Sequence, residues 1–191
     1  GSNCAQRVLW TLRYKKIDHC VLNTDSLPPE EFAKVSPFKK VPALRVDGVP
    51  LAESMAIIEF LEETFPSPNI LPQDCFLRAK AREVAEMVNG TIHAVQSANV
   101  PLFFLPELTK SEVLAQRKRW FDRTLPALEK ILFRDSAYAV GTTFSIADIF
   151  IVPAFVKGLI VGVQPKEFPS FMHHLRHCFA HDGLRETMPP E

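Results

Sequence analysis

A small α/β unit followed by an all-helical unit is the fold class this sequence predicts, and three observations predict it. Two short apolar runs flank Asp47-Gly48, three prolines crowd residues 66–72, and every apolar period beyond them is helical. Asp-Gly between strand-forming runs is a hairpin signal, because both residues accept positive φ. Prolines at that density suit an extended linker and no regular element. The expected organisation is therefore 1–65 as the α/β domain, 66–74 as linker and 75–191 as the helical domain, two small units within the 191 residues.

Along the chain, Ala5 to Lys16 carries Val8, Leu9 and Leu12 on one side and Arg7, Arg13, Lys15 and Lys16 elsewhere, which predicts an amphipathic first helix. Asp18 to Leu22 reads as a short strand, Asn23 to Pro29 as a loop, and Glu30 to Lys34 as a short helix. The hairpin strands are 41–46 and 49–52. Met55, Ile58, Leu61 and Phe65 then repeat at helical spacing, with Ser54 as N-cap and Pro66 as stop.

Beyond the linker, Val84, Met87, Val88, Ile92 and Val95 define one long helical face, and Leu114, Phe121, Leu125, Leu128 and Leu132 another, with Pro126 expected to kink it. Ser145 and Asp148 have capping-box spacing ahead of a buried helix to about Val156, with Phe144 placed to pack on Ile149. Phe168 to Ala180 reads as the last helix and Met188-Pro189-Pro190 as a loose tail.

Charge excludes several classes of function. Lys plus Arg and Asp plus Glu both total 22, leaving no net field for nucleic-acid phosphates or an anionic bilayer. The longest uncharged apolar stretch, Ile149 to Val156, is far short of the roughly 20 residues of a membrane span, and no secretory signal is visible. Cys4, Cys20, Cys75 and Cys178 are scattered without CxxC spacing, so reduced thiols and a cytoplasmic home are expected.

The α/β portion with Val-Pro before a hairpin, the proline linker and the Ser-x-x-Asp cap resemble the glutathione transferases over nearly the whole chain. Ser2-Asn3-Cys4-Ala5-Gln6-Arg7-Val8 is similar to the Ser-Ser-Cys-x-x-Arg-Val loop of the zeta class, as are Pro37 to Leu44 and Ser54 to Glu59. Asn3 stands where that class has Ser, and Glu53 where it typically has Gln. The resemblance implies a thioredoxin-like N-terminal domain, although the strand that opens such a sheet has no counterpart before Ser2. It also implies glutathione as cofactor, a small electrophile as second substrate, and a homodimer.

The resemblance assigns roles residue by residue. Val41, ahead of a cis Pro42, would pair its backbone with the cysteinyl unit of glutathione. Ser54, at a helix start, would take the γ-glutamyl carboxylate, and Glu53 the neighbouring ammonium, as helix dipoles favour. Asn3, Lys40 and Gln96 join them as cofactor-binding candidates. Ser2 is the candidate catalytic residue, a hydroxyl that stabilises the thiolate from the loop before the first helix. Cys4, at the helix cap, is its rival for mixed-disulfide chemistry.

Zeta-class members isomerise maleylacetoacetate by adding the thiolate to its double bond, and an Arg on or just after the sixth helix serves the substrate's carboxylate. That position falls at about Ile160, so weak or absent isomerisation is expected. Phe103, Phe104 and Leu105 suit an apolar pocket wall. The competing class is a non-catalytic binding or assembly module of the same fold, which would need no Ser donor. His173, His177 and His181 recur at H-x3-H spacing with His174 and Cys178 alongside, yet no carboxylate joins them in a recognisable motif, so no metal is expected.

Overall fold

A computed structural model describes residues 2–189. The chain divides into two compact units. One runs to Asn69 and takes in the segment from Gly183 onward, and the other is Ile70–Asp182.

In the first unit, helix α1 is Asn3–Tyr14, capped by Ser2, whose Oγ accepts from the Ala5 N–H at 3.4 Å. The apolar period alone placed the start at Ala5. The cap moves it two residues earlier, so Ser2 is the capping residue and Cys4 lies within the first turn. Helix α2 is Pro29–Val35. Strands β1 (Ala43–Val46) and β2 (Val49–Ala52) pair antiparallel from Ala43–Ala52 to Val46–Val49. Asp47 and Gly48 both take positive φ, 49° and 82°, the backbone a two-residue turn between twisted strands demands. Helix α3 is Ser54–Thr64.

No strand forms over 18–22, contrary to expectation. No described strand lies beside that segment, and an extended run without a ladder partner has nowhere to place its N–H and C=O groups but solvent. Val21 and Leu22 are accordingly exposed.

Two polar anchors hold this unit around Trp10, Ile57, Ile58 and Leu61, all fully or almost fully buried. Lys15 places its ammonium 2.5 Å from the Glu62 carboxylate of α3 and donates to the carbonyls of Phe65 (2.6 Å) and Pro68 (2.8 Å), so all three of its N–H bonds have acceptors. The Trp10 indole N–H donates to Thr187 Oγ1 at 3.2 Å, and Arg13 to the Met188 carbonyl at 3.4 Å. The tail read as loose is thus tied to α1 through Met188; Pro190 lies outside the described residues.

The second unit holds α4 (Cys75–Glu86), α5 (Ala94–Gln96), α6 (Asn99–Phe104), α7 (Lys110–Glu129), α8 (Ile146–Ile160) and α9 (Pro169–Ala180). A short helix α10, Asp182–Arg185, follows. Between α4 and α5, Met87–His93 forms a π-helical turn, where periodicity predicted one continuous α-helix. Such widened turns occur as single insertions and leave the apolar stripe largely intact, so the sequence pattern does not register them. Pro126 lies in the last turn of α7, where it has no N–H to give to the Asp122 carbonyl.

The core of this unit includes Phe121, Leu125, Phe150, Phe155 and Phe171, with the Phe155 and Phe171 rings stacked at 5.0 Å. Helix α8 can press on α7 because Gly158 has no Cβ, which would meet Phe121 Cδ1 at 3.3 Å.

The start of α8 is fully capped. Asp148 Oδ2 accepts from the Ser145 N–H at 2.7 Å and Oδ1 from the Ala139 N–H at 2.8 Å, while Ser145 Oγ accepts from Ala147 N at 3.3 Å. Both ends of the expected capping box are therefore present.

Candidate functional site

Three segments of the first unit carry most of the candidate residues. At the start of α1, Ser2 accepts one hydrogen bond as cap, which leaves its O–H as a donor for an external acceptor. Asn3 and Cys4 occupy the first turn and are buried, and the Arg7 guanidinium, itself fully buried, donates to Cys4 Sγ at 3.6 Å. The Cys4 thiol therefore faces protein rather than solvent.

The second segment is the turn before β1. The Val41–Pro42 peptide is cis, as expected, and Val41 lies outside the ladder, which begins at Ala43. Val41 is 37% exposed. One buried hydroxyl shapes the approach to it: Ser36 Oγ donates to the Lys40 carbonyl at 2.8 Å and accepts from the Lys40 N–H at 3.0 Å. Lys40 thereby has its backbone pinned and its side chain in solvent. Ser36 was missed in the sequence, where a lone serine in a loop carries no signal.

The third segment is the junction of β2 and α3. Glu53 occupies the cap position with φ 71° and ψ 119°, a backbone region that a residue with a Cβ adopts only under constraint. Ser54 was expected as the cap and is instead the first helical residue, buried, because Glu53 O already accepts the first helical bond from Ile57 N at 3.0 Å. No side-chain cap bond closes this helix start. The first-turn N–H groups of this eleven-residue helix thus receive no side-chain cap at the positive end of its dipole, beside an exposed Glu53 carboxylate.

Gln96 belongs to the other unit, at the end of α5. It is buried, its Nε2 lies 2.6 Å from His93 Nδ1, and its carbonyl accepts from Arg117 Nε at 2.5 Å. His93 closes the π-turn, so the widened turn and an α7 arginine together fix Gln96. Neither partner was legible, since they lie 3 and 21 residues away with no motif joining them.

The same unit holds a buried polar cluster. His174 Nε2 lies 3.5 Å from Asp148 Oδ1, and Cys178 Sγ lies 3.8 Å from His174 Nδ1. Burial pushes the Asp148 carboxyl up to about 7 against the pull of its Ala139 and Ser145 donors, and brings His174 down to about 4. Burial also raises the Cys178 thiol. The carboxylate that the sequence did not pair with these residues comes from α8.

Comparison with known proteins decides the family. Residues 1–64 match the family described as glutathione S-transferase, N-terminal domain, and residues 92–182 match glutathione S-transferase, C-terminal domain. The chain belongs to the glutathione S-transferase family. It is 38% identical to probable maleylacetoacetate isomerase 1 of Drosophila melanogaster over 98% of this chain and 78% of that protein.

Among solved structures this transferase resembles a bacterial maleyl pyruvate isomerase of the zeta class, in its holo form, with TM-score 0.88 and 26% identity over 98% of this chain and 93% of the other. It also resembles the maleylacetoacetate isomerase of Anaeromyxobacter dehalogenans 2CP-1 with bound dicarboxyethyl glutathione and citrate, with TM-score 0.82 and 28% identity over 99% and 94%. The transferase is an enzyme with glutathione as cofactor, of the thioredoxin-like plus helical fold, and the reading as a non-catalytic module gives way. Its residues fit the cofactor: the uncapped start of α3 suits a carboxylate, and the Glu53 side chain suits an ammonium. No helix among the described residues is long and apolar enough to cross a membrane.

Proposed function

We propose that this transferase stabilises the glutathione thiolate with the Ser2 hydroxyl and directs it at the activated double bond of a small electrophile. Bound glutathione supplies the nucleophilic sulfur. The chain's own residues hold it. Ser54 and the first-turn N–H groups of α3 take the γ-glutamyl carboxylate, Glu53 the ammonium, Val41 the peptide backbone, and Asn3, Lys40 and Gln96 the remaining polar groups.

The observation that carries this reading is the start of α3, where an 11-residue helix is left uncapped and its entry residue is held at positive φ. A strained, open helix terminus is retained where a ligand makes use of it. In the same reading, residues 1–65 bind the cofactor, 66–74 link, and the helices beyond present the electrophile pocket, walled by Phe103, Phe104 and Leu105, which are exposed. The protein acts as a cytoplasmic homodimer, a location that suits its four free cysteines.

Ser2 rather than Cys4 is the thiolate donor, because its O–H is available while the Cys4 thiol is turned into the protein against Arg7. Loss of one hydrogen bond to a charged acceptor is worth about 1.5 to 3 kcal/mol, so Ser2→Ala should raise the pKa of bound glutathione by roughly one to two units. Cys4→Ala should leave it nearly unchanged. Titration of thiolate absorbance in both variants tests this, and the reverse pattern would replace the serine mechanism with a cysteine thiol-transfer one.

The relatives named as isomerases make a maleyl-type acid the natural electrophile. Ile160, 54% exposed at the end of α8, offers such an anion no charge, so turnover of maleylacetoacetate should stay below a kcat/KM of about 10⁴ M⁻¹s⁻¹. Ile160→Arg should raise it at least about tenfold, which is 1.4 kcal/mol of transition-state stabilisation. Fast turnover by the wild type would show that the carboxylate is met elsewhere.

A further inference from the structure

The helical unit contains a donor set that the glutathione chemistry does not use. Asp148 in the first turn of α8, and His174 and Cys178 one turn apart on α9, bring a carboxylate, an imidazole and a thiol to one point. Their ligand atoms all lie within 4.8 Å of one another, and all three residues are buried. Asp148 Oδ1 is 3.5 Å and Cys178 Sγ 4.0 Å from His174 Nε2.

The imidazole tautomer follows from its outer partner. His174 Nδ1 lies 2.8 Å from the Ala137 carbonyl, which can only accept, so Nδ1 carries the proton and Nε2, which keeps its lone pair, is the nitrogen 3.5 Å from Asp148 Oδ1. A carboxylate oxygen and an imidazole lone pair facing each other in a buried space repel unless something positive sits between them. A shared proton is one such thing and a cation is the other.

We propose that Asp148, His174 and Cys178 form a binding site for a thiophilic divalent cation of the zinc type. One oxygen, one nitrogen and one sulfur make a donor set that tetrahedral zinc accepts, with a fourth position left for a small ligand. Neighbouring donors around such an ion stand about 3.3 to 3.6 Å apart. The oxygen–nitrogen pair already has that spacing, the sulfur must close on the imidazole by a few tenths of an ångström, and the sulfur and the carboxylate oxygen, within 4.8 Å of one another, must close by up to roughly 1 Å. The Nδ1–H bond to the Ala137 carbonyl is the outer-shell contact that orients a metal-bound histidine.

On binding, the Cys178 S–H bond breaks, the sulfur lone pair forms the bond to the ion, and the proton leaves to the buffer, with any proton on Asp148. No electron changes hands. The ion reaches the site through local opening of α9, so its uptake is slow, and once bound it joins α9 to the start of α8. None of this involves the residues assigned to glutathione.

The test is a titration of the chelator-treated full chain with cadmium, read by equilibrium dialysis and by the ultraviolet thiolate-to-cadmium band. Cys4, Cys20 and Cys75 can bind cadmium too, so the comparison is with Cys178→Ala and His174→Gln, each checked for folding by circular dichroism. The wild type should bind one equivalent more than Cys178→Ala, and His174→Gln should hold that equivalent at least about tenfold more weakly. Equal stoichiometry in Cys178→Ala, or equal affinity in His174→Gln, would overturn the site and leave a proton-sharing cap. Should a variant not fold, long-range proton–nitrogen NMR of the wild type decides. Zinc should shift the His174 Nε2 resonance, and an unmoved resonance at saturating zinc would refute the proposal.

Discussion

Helices α3 and α8 both open on a serine beside a carboxylate, and they treat their first-turn N–H groups in opposite ways. In α8, Ser145 and Asp148 satisfy one another's backbone, and Asp148 reaches on to Ala139. In α3, Glu53 sits outside the helix at positive φ, Ser54 is already helical, and no side chain closes the start. The order of the two residues decides this. Serine three positions before the acid forms a reciprocal box in α8, whereas in α3 the acid itself holds the cap position at φ 71° and its side chain makes no bond to the helix. A closed helix start stabilises the fold, and an open one is available to an anion.

The largest effect expected of this contrast is at Asp148. Asp148→Ala leaves the buried Ala139 and Ser145 N–H groups without their acceptor, and should destabilise the protein by about 3 to 5 kcal/mol in urea unfolding. A variant as stable as wild type would mean the cap is ornamental.

Ser54→Ala should do the converse. Stability should change by less than about 1 kcal/mol, while glutathione affinity falls roughly tenfold to a hundredfold, or about 1.5 to 3 kcal/mol, by calorimetry. Unchanged affinity in a folded variant would remove α3 from the binding site, and a large stability loss would make it a second structural terminus.

The smallest expected effect is a compensated one, in the metal-free protein prepared with a chelator. Asp148, raised from 3.8 to about 7, keeps a proton in the folded state that the unfolded chain has released, so its contribution to stability weakens as pH rises through that window. His174, lowered from 6.5 to about 4, is proton-free when folded but charged when unfolded, so its contribution strengthens as pH rises from about 4 to 6.5. Folded and unfolded forms of the pair then hold about one proton each between those values, and stability from the pair should be flat. His174→Gln removes the compensating half, so stability should fall with rising pH, by up to about 1.4 kcal/mol per unit. Urea midpoints across the window would show it, and identical slopes in wild type and variant would break the pairing.

Local chemistry was legible. Asp47-Gly48 announced the hairpin, the Ser145–Asp148 spacing announced the box, and Val41-Pro42 announced the cis turn before the hairpin, because each depends on neighbours within a few residues. What failed depends on partners farther away. The run 18–22 had strand propensity but no described strand beside it. Asp148 and His174 approach from different helices, 26 residues apart in the chain. Lys15, placed in the sequence away from the apolar side of the first helix, has its ammonium buried among three acceptors of a later segment. The error at Ser54 was of another kind: a serine at a helix start is usually a cap, and only the backbone of Glu53 shows that this one is not.

The contact between Trp10 and Thr187 sets a timetable for the nascent chain. The indole and the hydroxyl are separated by 177 positions, and between them the ribosome must produce every residue of the helical unit. The hydrogen bond from the α1 indole to Thr187 forms only once Thr187 has cleared the exit tunnel. The second unit is, in connectivity, a guest within the first, so the portion made first is the portion finished last.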